Sequence, residues 1–167
     1  MIELSKEFGD FCVKNSLVIT TAESCTAGLI ASTIAQTPGS SAWLESGFIV
    51  YTAEAKNKIL GVNPKTIKEF NITSMEVSSE MAFGALKRSS ANVIMAVTGV
   101  AGPTGGTNEI PVGTVCMSWI FKLADSTETH DEIVVLKGER NEIREEAVKY
   151  MLHQCMNYYK EINEQLI

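Results

Sequence analysis

The chain has 167 residues, 45% of them apolar and 20% charged, which is the balance of a folded globular domain and excludes a disordered, charge-rich chain. Fourteen basic residues against 20 acidic ones leave a net charge of −6. That sign disfavours a surface that grips nucleic acid through its phosphates, so no nucleic-acid partner is expected, whereas two or three local donors suffice for a small phosphorylated metabolite. At this length one domain over residues 1–167 is expected.

In chain order, Leu4, Phe8, Phe11 and Cys12 recur at helical spacing and predict a helix over 3–14. Residues 17–22 are β-rich and predict a buried strand, followed by a helix over 26–37 that Pro38-Gly39 stops. A second strand is predicted over 47–51, and a helix over 53–60 ends at Gly61. Asn63-Pro64 has the cap-and-first-turn chemistry of a short helix, and Thr73 with Glu76 has capping-box spacing ahead of a helix over 75–88. A third buried strand is expected at 92–97, then a glycine-rich loop over 98–113. Strands at 112–121 and 132–136 are joined by a polar segment, 123–131, too short for a helical crossover, so antiparallel pairing is expected. An amphipathic helix over 141–160 follows. Five strands with helices between the early ones predict an α/β fold, a mixed sheet covered on both faces.

No run of 18 uninterrupted apolar residues predicts a membrane span, and the first residues lack the basic start and apolar run of a signal peptide. A cytoplasmic location and reduced Cys12, Cys25, Cys116 and Cys155 are therefore expected. With two histidines and no CxxC pair, no metal site and no cofactor are expected.

Three segments carry possible chemistry. Thr21-Ala22-Glu23-Ser24-Cys25-Thr26-Ala27-Gly28 joins a buried strand to a helix, where open α/β sheets bind ligands and helix starts offer free N–H groups. Ser24 is a candidate nucleophile, although Ser24 or Thr26 as a simple helix cap is the plain alternative. Cys25 is a rival nucleophile without an evident basic partner, and a small buried residue is the better reading for it. Tyr51-Thr52-Ala53-Glu54-Ala55-Lys56 follows the second strand, and a desolvated Lys56 can serve a serine as general base, with Tyr51 as relay or positioner. An ordinary surface lysine is the alternative. Thr98-Gly99-Val100-Ala101-Gly102-Pro103-Thr104-Gly105-Gly106-Thr107 can approach a ligand closely or form an anion nest, or be a plain connector, and it fits neither a Walker A loop nor a GxGxxG fingerprint. Arg140 and Arg144 share a helix face and suit phosphate or carboxylate, or answer Glu145 and Glu146 in solvent.

Together these runs resemble the CinA C-terminal domain family, also called competence/damage-inducible protein. The resemblance is carried by Ala22-Glu23-Ser24-Cys25-Thr26, Gly39-Ser40-Ser41-Ala42-Trp43, Gly47-Phe48-Ile49-Val50-Tyr51 with Glu54-Ala55-Lys56, and Thr98-Gly99-Val100-Ala101-Gly102-Pro103. It continues through Pro111-Val112-Gly113-Thr114-Val115 and Gly138-Glu139-Arg140 with Ile143-Arg144. It implies a three-layer α/β/α sandwich on a mixed five-stranded sheet, the stand-alone form of the domain, and a homo-oligomer. It also implies deamidation of nicotinamide mononucleotide, a small-molecule nucleotide substrate. Ser24, Lys56 and Tyr51 are then the expected catalytic residues, with the oxyanion held by N–H groups near the start of the 26–37 helix. Thr26, Ser40, Ser41, Thr98, Gly99, Gly102, Gly106 and Arg140 are the expected substrate-binding residues, the phosphate falling to the glycine-rich loop, Ser40, Ser41 and Arg140. Two departures from the family pattern are Ala27, where a glycine is usual, and Ile110, where a lysine is usual. They keep open a non-catalytic nucleotide-binding or regulatory module as the alternative, with a purely structural or partner-binding protein behind it.

Overall fold

The structure is a computed structural model, and it describes residues 1–165. Leu166 and Ile167 of the expected 1–167 domain lie outside the described residues. The elements run α1 (Ile2–Lys14), β1 (Ile19–Glu23), α2 (Leu29–Ile34), a 3-10 turn (Ser40–Ala42) and β2 (Leu44–Ile49). They continue with α3 (Ala53–Ala55), which widens into a π-helical turn (Lys56–Leu60), then α4 (Pro64–Phe70), α5 (Met75–Leu86), β3 (Val93–Gly99), β4 (Thr114–Lys122), β5 (Thr127–Val135) and α6 (Arg140–Gln165).

The five strands form one sheet in the order β2-β1-β3-β4-β5. β1 pairs in parallel with β2 and β3, while β4 and β5 join antiparallel. The predicted mixed five-stranded α/β sandwich is thus the observed one. Alternation along the central strands divides the apolar side chains between two cores. Val93, Met95 and Val97 of β3, with Val115, Met117, Trp119 and Phe121 of β4, pack against α1, α2 and α6. Ile94, Ala96 and Ile120 point the other way, towards Val77, Met81 and Ala85 of α5. Both faces of β3 and β4 are covered, which is why these two strands read as near-continuous apolar runs.

Several element boundaries differ from the sequence expectation. β2 begins at Leu44 and stops at Ile49, because it is an edge strand whose exposure alternates and whose pairing with β1 starts at Ile19 opposite Leu44. β5 begins at Thr127, inside the stretch expected to be a polar connector, since every residue from Thr127 to Val135 has a partner on β4. The cap of α5 is Ser74, whose Oγ accepts the Val77 N–H, so the Thr73 and Glu76 capping box does not form. Asn63 caps α4 as expected, with Pro64 in the first turn.

Candidate active site

The carboxyl ends of β1, β2 and β3 lie side by side, and backbone bonds lock them together. The Ser24 N–H donates to Val97 O of β3 at 3.0 Å, and the Val50 N–H beyond β2 donates to Glu23 O at 2.9 Å. Ser24 and the segment leading to Lys56 are thereby fixed at one point. Thr52 caps α3, its Oγ1 accepting the Ala55 N–H, and the widened turn after Ala55 swings Lys56 inward while Glu54 and Lys58 pair in solvent.

Lys56 has no exposed surface, and its Nζ lies 2.7 Å from Ser24 Oγ and 2.9 Å from Val50 O. No carboxylate accompanies it in these bonds. Desolvation in this setting lowers the Lys56 pKa to about 8, opposed by the neighbouring Cys25. The surface-lysine alternative is excluded by this burial. Ser24 is 7% exposed, so of the two groups only the serine reaches the surface. Cys25 is also buried, and desolvation pushes its thiol up to about 11, so at neutral pH it is protonated and a poor nucleophile.

The turn after Ser24 is not the start of a helix. Ala27 has φ +51° and Gly28 φ +91°, left-handed values that postpone α2 to Leu29. Neither Ser24 nor Thr26 caps that helix. Glu23 does, from the strand side. Its buried carboxylate accepts from the N–H groups of Gly28, Ile30 and Ala31, and from the hydroxyls of Thr21 and Thr26. Three N–H groups at the start of α2, the region expected to hold an oxyanion, are therefore already committed to Glu23. The Glu23 clamp was missed because an acidic residue ending a strand gives no capping signal; the Ala27-Gly28 pair just after it is the signal that points to a left-handed turn.

The other expected residues divide into those near this centre and those away from it. Tyr51 is half exposed, and its hydroxyl accepts from Arg140 at 2.8 Å rather than bonding to Ser24 or Lys56. Arg140 also donates to Gly102 O at 2.7 Å, so it ties Tyr51 to the glycine-rich loop. Gly102 has φ +76°, and a Cβ there would stand 2.5 Å from Val112 Cγ1, so the glycine shapes this loop against its own neighbour. Gly106 lies against the backbone of Val112, and Gly99 approaches both Thr114 O and the Cys25 sulfur. The Thr98 hydroxyl is committed to Ile72 O at 3.0 Å, and Thr26 Oγ1 to Glu23. Arg144 faces inward, donating to the carbonyls of Cys25 and Thr26. Ser40 and Ser41 sit just before β2, and parallel pairing puts that end of β2 beside Ile19, at the opposite end of β1 from Ser24. Within one chain they are not part of this site. Trp43 is core, stacked on Gly9. Among the described residues no group of three or more His, Cys, Asp or Glu is placed to hold a metal ion, and no helix is long and apolar enough to cross a membrane.

The profile of the CinA C-terminal domain family matches residues 1–159. The chain belongs to the CinA C-terminal domain family. A CinA relative named nicotinamide-nucleotide amidohydrolase PncC, from Escherichia coli (strain K12), is 37% identical over 152 residues, covering 91% of this chain and 90% of its own length. The CinA-like protein of Chlorobium phaeobacteroides (strain BS1) is 43% identical over 140 residues, covering 83% of this chain. The chain spans only about a third of that longer protein, 33% of its length. Among solved CinA structures, the competence/damage-inducible protein CihA from Agrobacterium tumefaciens superposes with a TM-score of 0.84 at 38% identity, covering 93% of this chain and 94% of its own. A CinA superfamily protein from Escherichia coli gives 0.85 at 31% identity, covering 93% and 88%.

Proposed function

We propose that this CinA-family chain is an amidohydrolase that converts nicotinamide mononucleotide and water to nicotinate mononucleotide and ammonia through Ser24 and Lys56. The observation that carries the proposal is the 2.7 Å contact between a fully buried amine and the Ser24 hydroxyl. An amine whose pKa falls to about 8 is neutral in a useful fraction of molecules near neutral pH. In that form its lone pair accepts the Ser24 O–H, while one of its own N–H groups stays on Val50 O.

Ser24 Oγ attacks the carboxamide carbon, and its proton passes to Lys56 Nζ. The tetrahedral intermediate collapses as the C–N bond breaks, and Lys56 returns the proton to the departing nitrogen, which leaves as ammonia. A water then gives a proton to the neutral Lys56 and attacks the acyl-enzyme carbon. The ester bond breaks, Ser24 recovers its proton from Lys56, and the acid is released. Arg140 and Tyr51, joined to each other and to the glycine-rich loop, form the polar rim on which the nucleotide phosphate is placed in this proposal.

The test is ammonia release from nicotinamide mononucleotide by wild type, Ser24→Ala and Lys56→Ala. Loss of turnover by both variants supports the mechanism, and full activity in both eliminates it. Calorimetric binding of the nucleotide without turnover by wild type supports instead the non-catalytic module, which the extra methyl of Ala27 in the nucleophile turn favours.

A further inference from the structure

Arg144 is a charged side chain aimed at the nucleophile turn that the proposed reaction leaves without a task. It projects from the first turns of α6, and its Nε donates to Cys25 O at 3.1 Å while one terminal nitrogen donates to Thr26 O at 2.9 Å. The other terminal nitrogen rests on Asn141 Oδ1 at 3.1 Å, which sets the plane of the guanidinium. Two successive carbonyls are thus gripped by one rigid fork, a geometry that a lysine cannot reproduce.

Glu23 grips the same turn through N–H groups further along, at Gly28, Ile30 and Ala31. Between the two grips lie the N–H groups of Cys25 and Thr26. Neither is donated to an oxygen among the described residues. Both face the Cys25 sulfur, which is a neutral thiol and a weak acceptor. Two adjacent N–H groups that directly follow the nucleophile in the chain, held only by a weak sulfur acceptor, can serve a negative oxygen. The N–H of the residue after a nucleophilic serine is a recurrent oxyanion donor. The Cys25 carbonyl and the Thr26 N–H are the two ends of a single peptide unit. A charged donor on the carbonyl polarises that unit and strengthens its N–H as a donor.

We propose that Arg144 is a positioning residue for the reaction: through the Cys25 and Thr26 carbonyls it holds and polarises the peptide whose N–H, with that of Cys25, receives the oxyanion formed on Ser24's substrate. This rests on Ser24 acting as the nucleophile, as proposed above. The role belongs to the transition state, so it acts on kcat and leaves ground-state binding nearly unchanged.

The experiment uses the full chain as wild type, Arg144→Met and Arg144→Lys, with two readouts. The first is ammonia release from nicotinamide mononucleotide across pH. The second is the rate at which a fluorophosphonate modifies Ser24, followed by intact mass, a step in which the Oγ–P bond forms, P–F breaks, fluoride leaves and Lys56 takes the proton. Arg144→Met is expected to lower kcat by about a hundredfold with KM changed less than about threefold, and to slow Ser24 labelling similarly. The pH midpoint set by Lys56 stays in place, and Arg144→Lys, which keeps one charged donor, recovers part of both rates. Full kcat and full labelling rate in Arg144→Met overturn the inference, as does a loss confined to KM. Should Arg144→Met fail to fold, Arg144→Lys decides, and full rates in that variant overturn the inference. Wild type that is labelled at Ser24 in an Arg144-dependent way, but releases no ammonia, removes the substrate proposal and leaves the inference standing. Neither labelling nor ammonia release in wild type removes both.

Discussion

Lys56 Nζ and Ser24 Oγ meet at 2.7 Å across 32 residues of chain, and the group that joins their two elements is Val50. Its N–H bonds to Glu23 O, and its carbonyl accepts from Lys56. One residue thus registers the end of β2 against β1 and holds the amine at the serine. The amine has lost its water and gained no carboxylate in exchange, which is the cause of its lowered pKa.

A rate that depends on neutral Lys56 rises with pH through about 8 and levels off above it. Below the midpoint each pH unit costs about tenfold, so kcat/KM at pH 6 is expected to be about a hundredfold below its plateau. A pH series of ammonia release measures this. A flat profile from pH 6 to 9 is incompatible with Lys56 as the base.

The same burial has a stability consequence with a definite sign. Between about 8 and 10.5 the unfolded chain holds a proton on Lys56 that the folded chain has released. Stability contributed by this group therefore increases with pH across that window, and the full penalty of the buried charge is present below it. Relative to Lys56→Met, wild type is expected to gain about 3 kcal/mol between pH 7 and 10.5 in urea unfolding. A difference between the two proteins that stays constant with pH contradicts a desolvated lysine.

How much of this was legible depends on which force fixes each element. The central strands β3 and β4 are buried on both faces, so composition alone marks them. β5 is polar at Thr127, Glu128, Thr129 and Asp131, and it becomes a strand only because β4 offers a partner for each residue, a non-local cause that local pattern does not carry. Ser24 and Lys56 each had a plain local alternative, and what removes it is the parallel pairing of β1 with β2, which places both strand ends together. Ser40 and Ser41 belong to a run typical of the family, yet the same pairing carries them to the far end of the sheet. The Glu23 clamp was hidden because its donors come from a turn whose left-handed backbone at an alanine runs against intrinsic preference.

Glu23 tests whether that clamp holds the turn. Oε1 accepts from the Thr21 hydroxyl and the Ala31 N–H, and Oε2 from the Thr26 hydroxyl and the N–H groups of Gly28 and Ile30. In Glu23→Gln one oxygen becomes an NH2 group and points donor against donor. The threonine hydroxyls can turn to accept from it, but at least one buried backbone N–H loses its acceptor, a cost of about 1–3 kcal/mol. Urea unfolding is expected to show a loss in that range, with a shape similar to wild type. A loss under about 1 kcal/mol means that water satisfies the turn and the carboxylate is not what holds it.

Ala27 offers the opposite experiment. Its φ of +51° is a conformation in which a Cβ crowds the following carbonyl, at a cost of about 1–2 kcal/mol. Replacing it by glycine removes that crowding, while the freer unfolded chain takes back about 0.5–1 kcal/mol. The balance favours Ala27→Gly by up to about 1.5 kcal/mol, which for a domain of this size raises Tm by up to about 6 °C. Calorimetry measures it. A fall in Tm means that the alanine methyl makes a contact worth more than the strain, and the departure from the family's usual glycine is then a stabilising one.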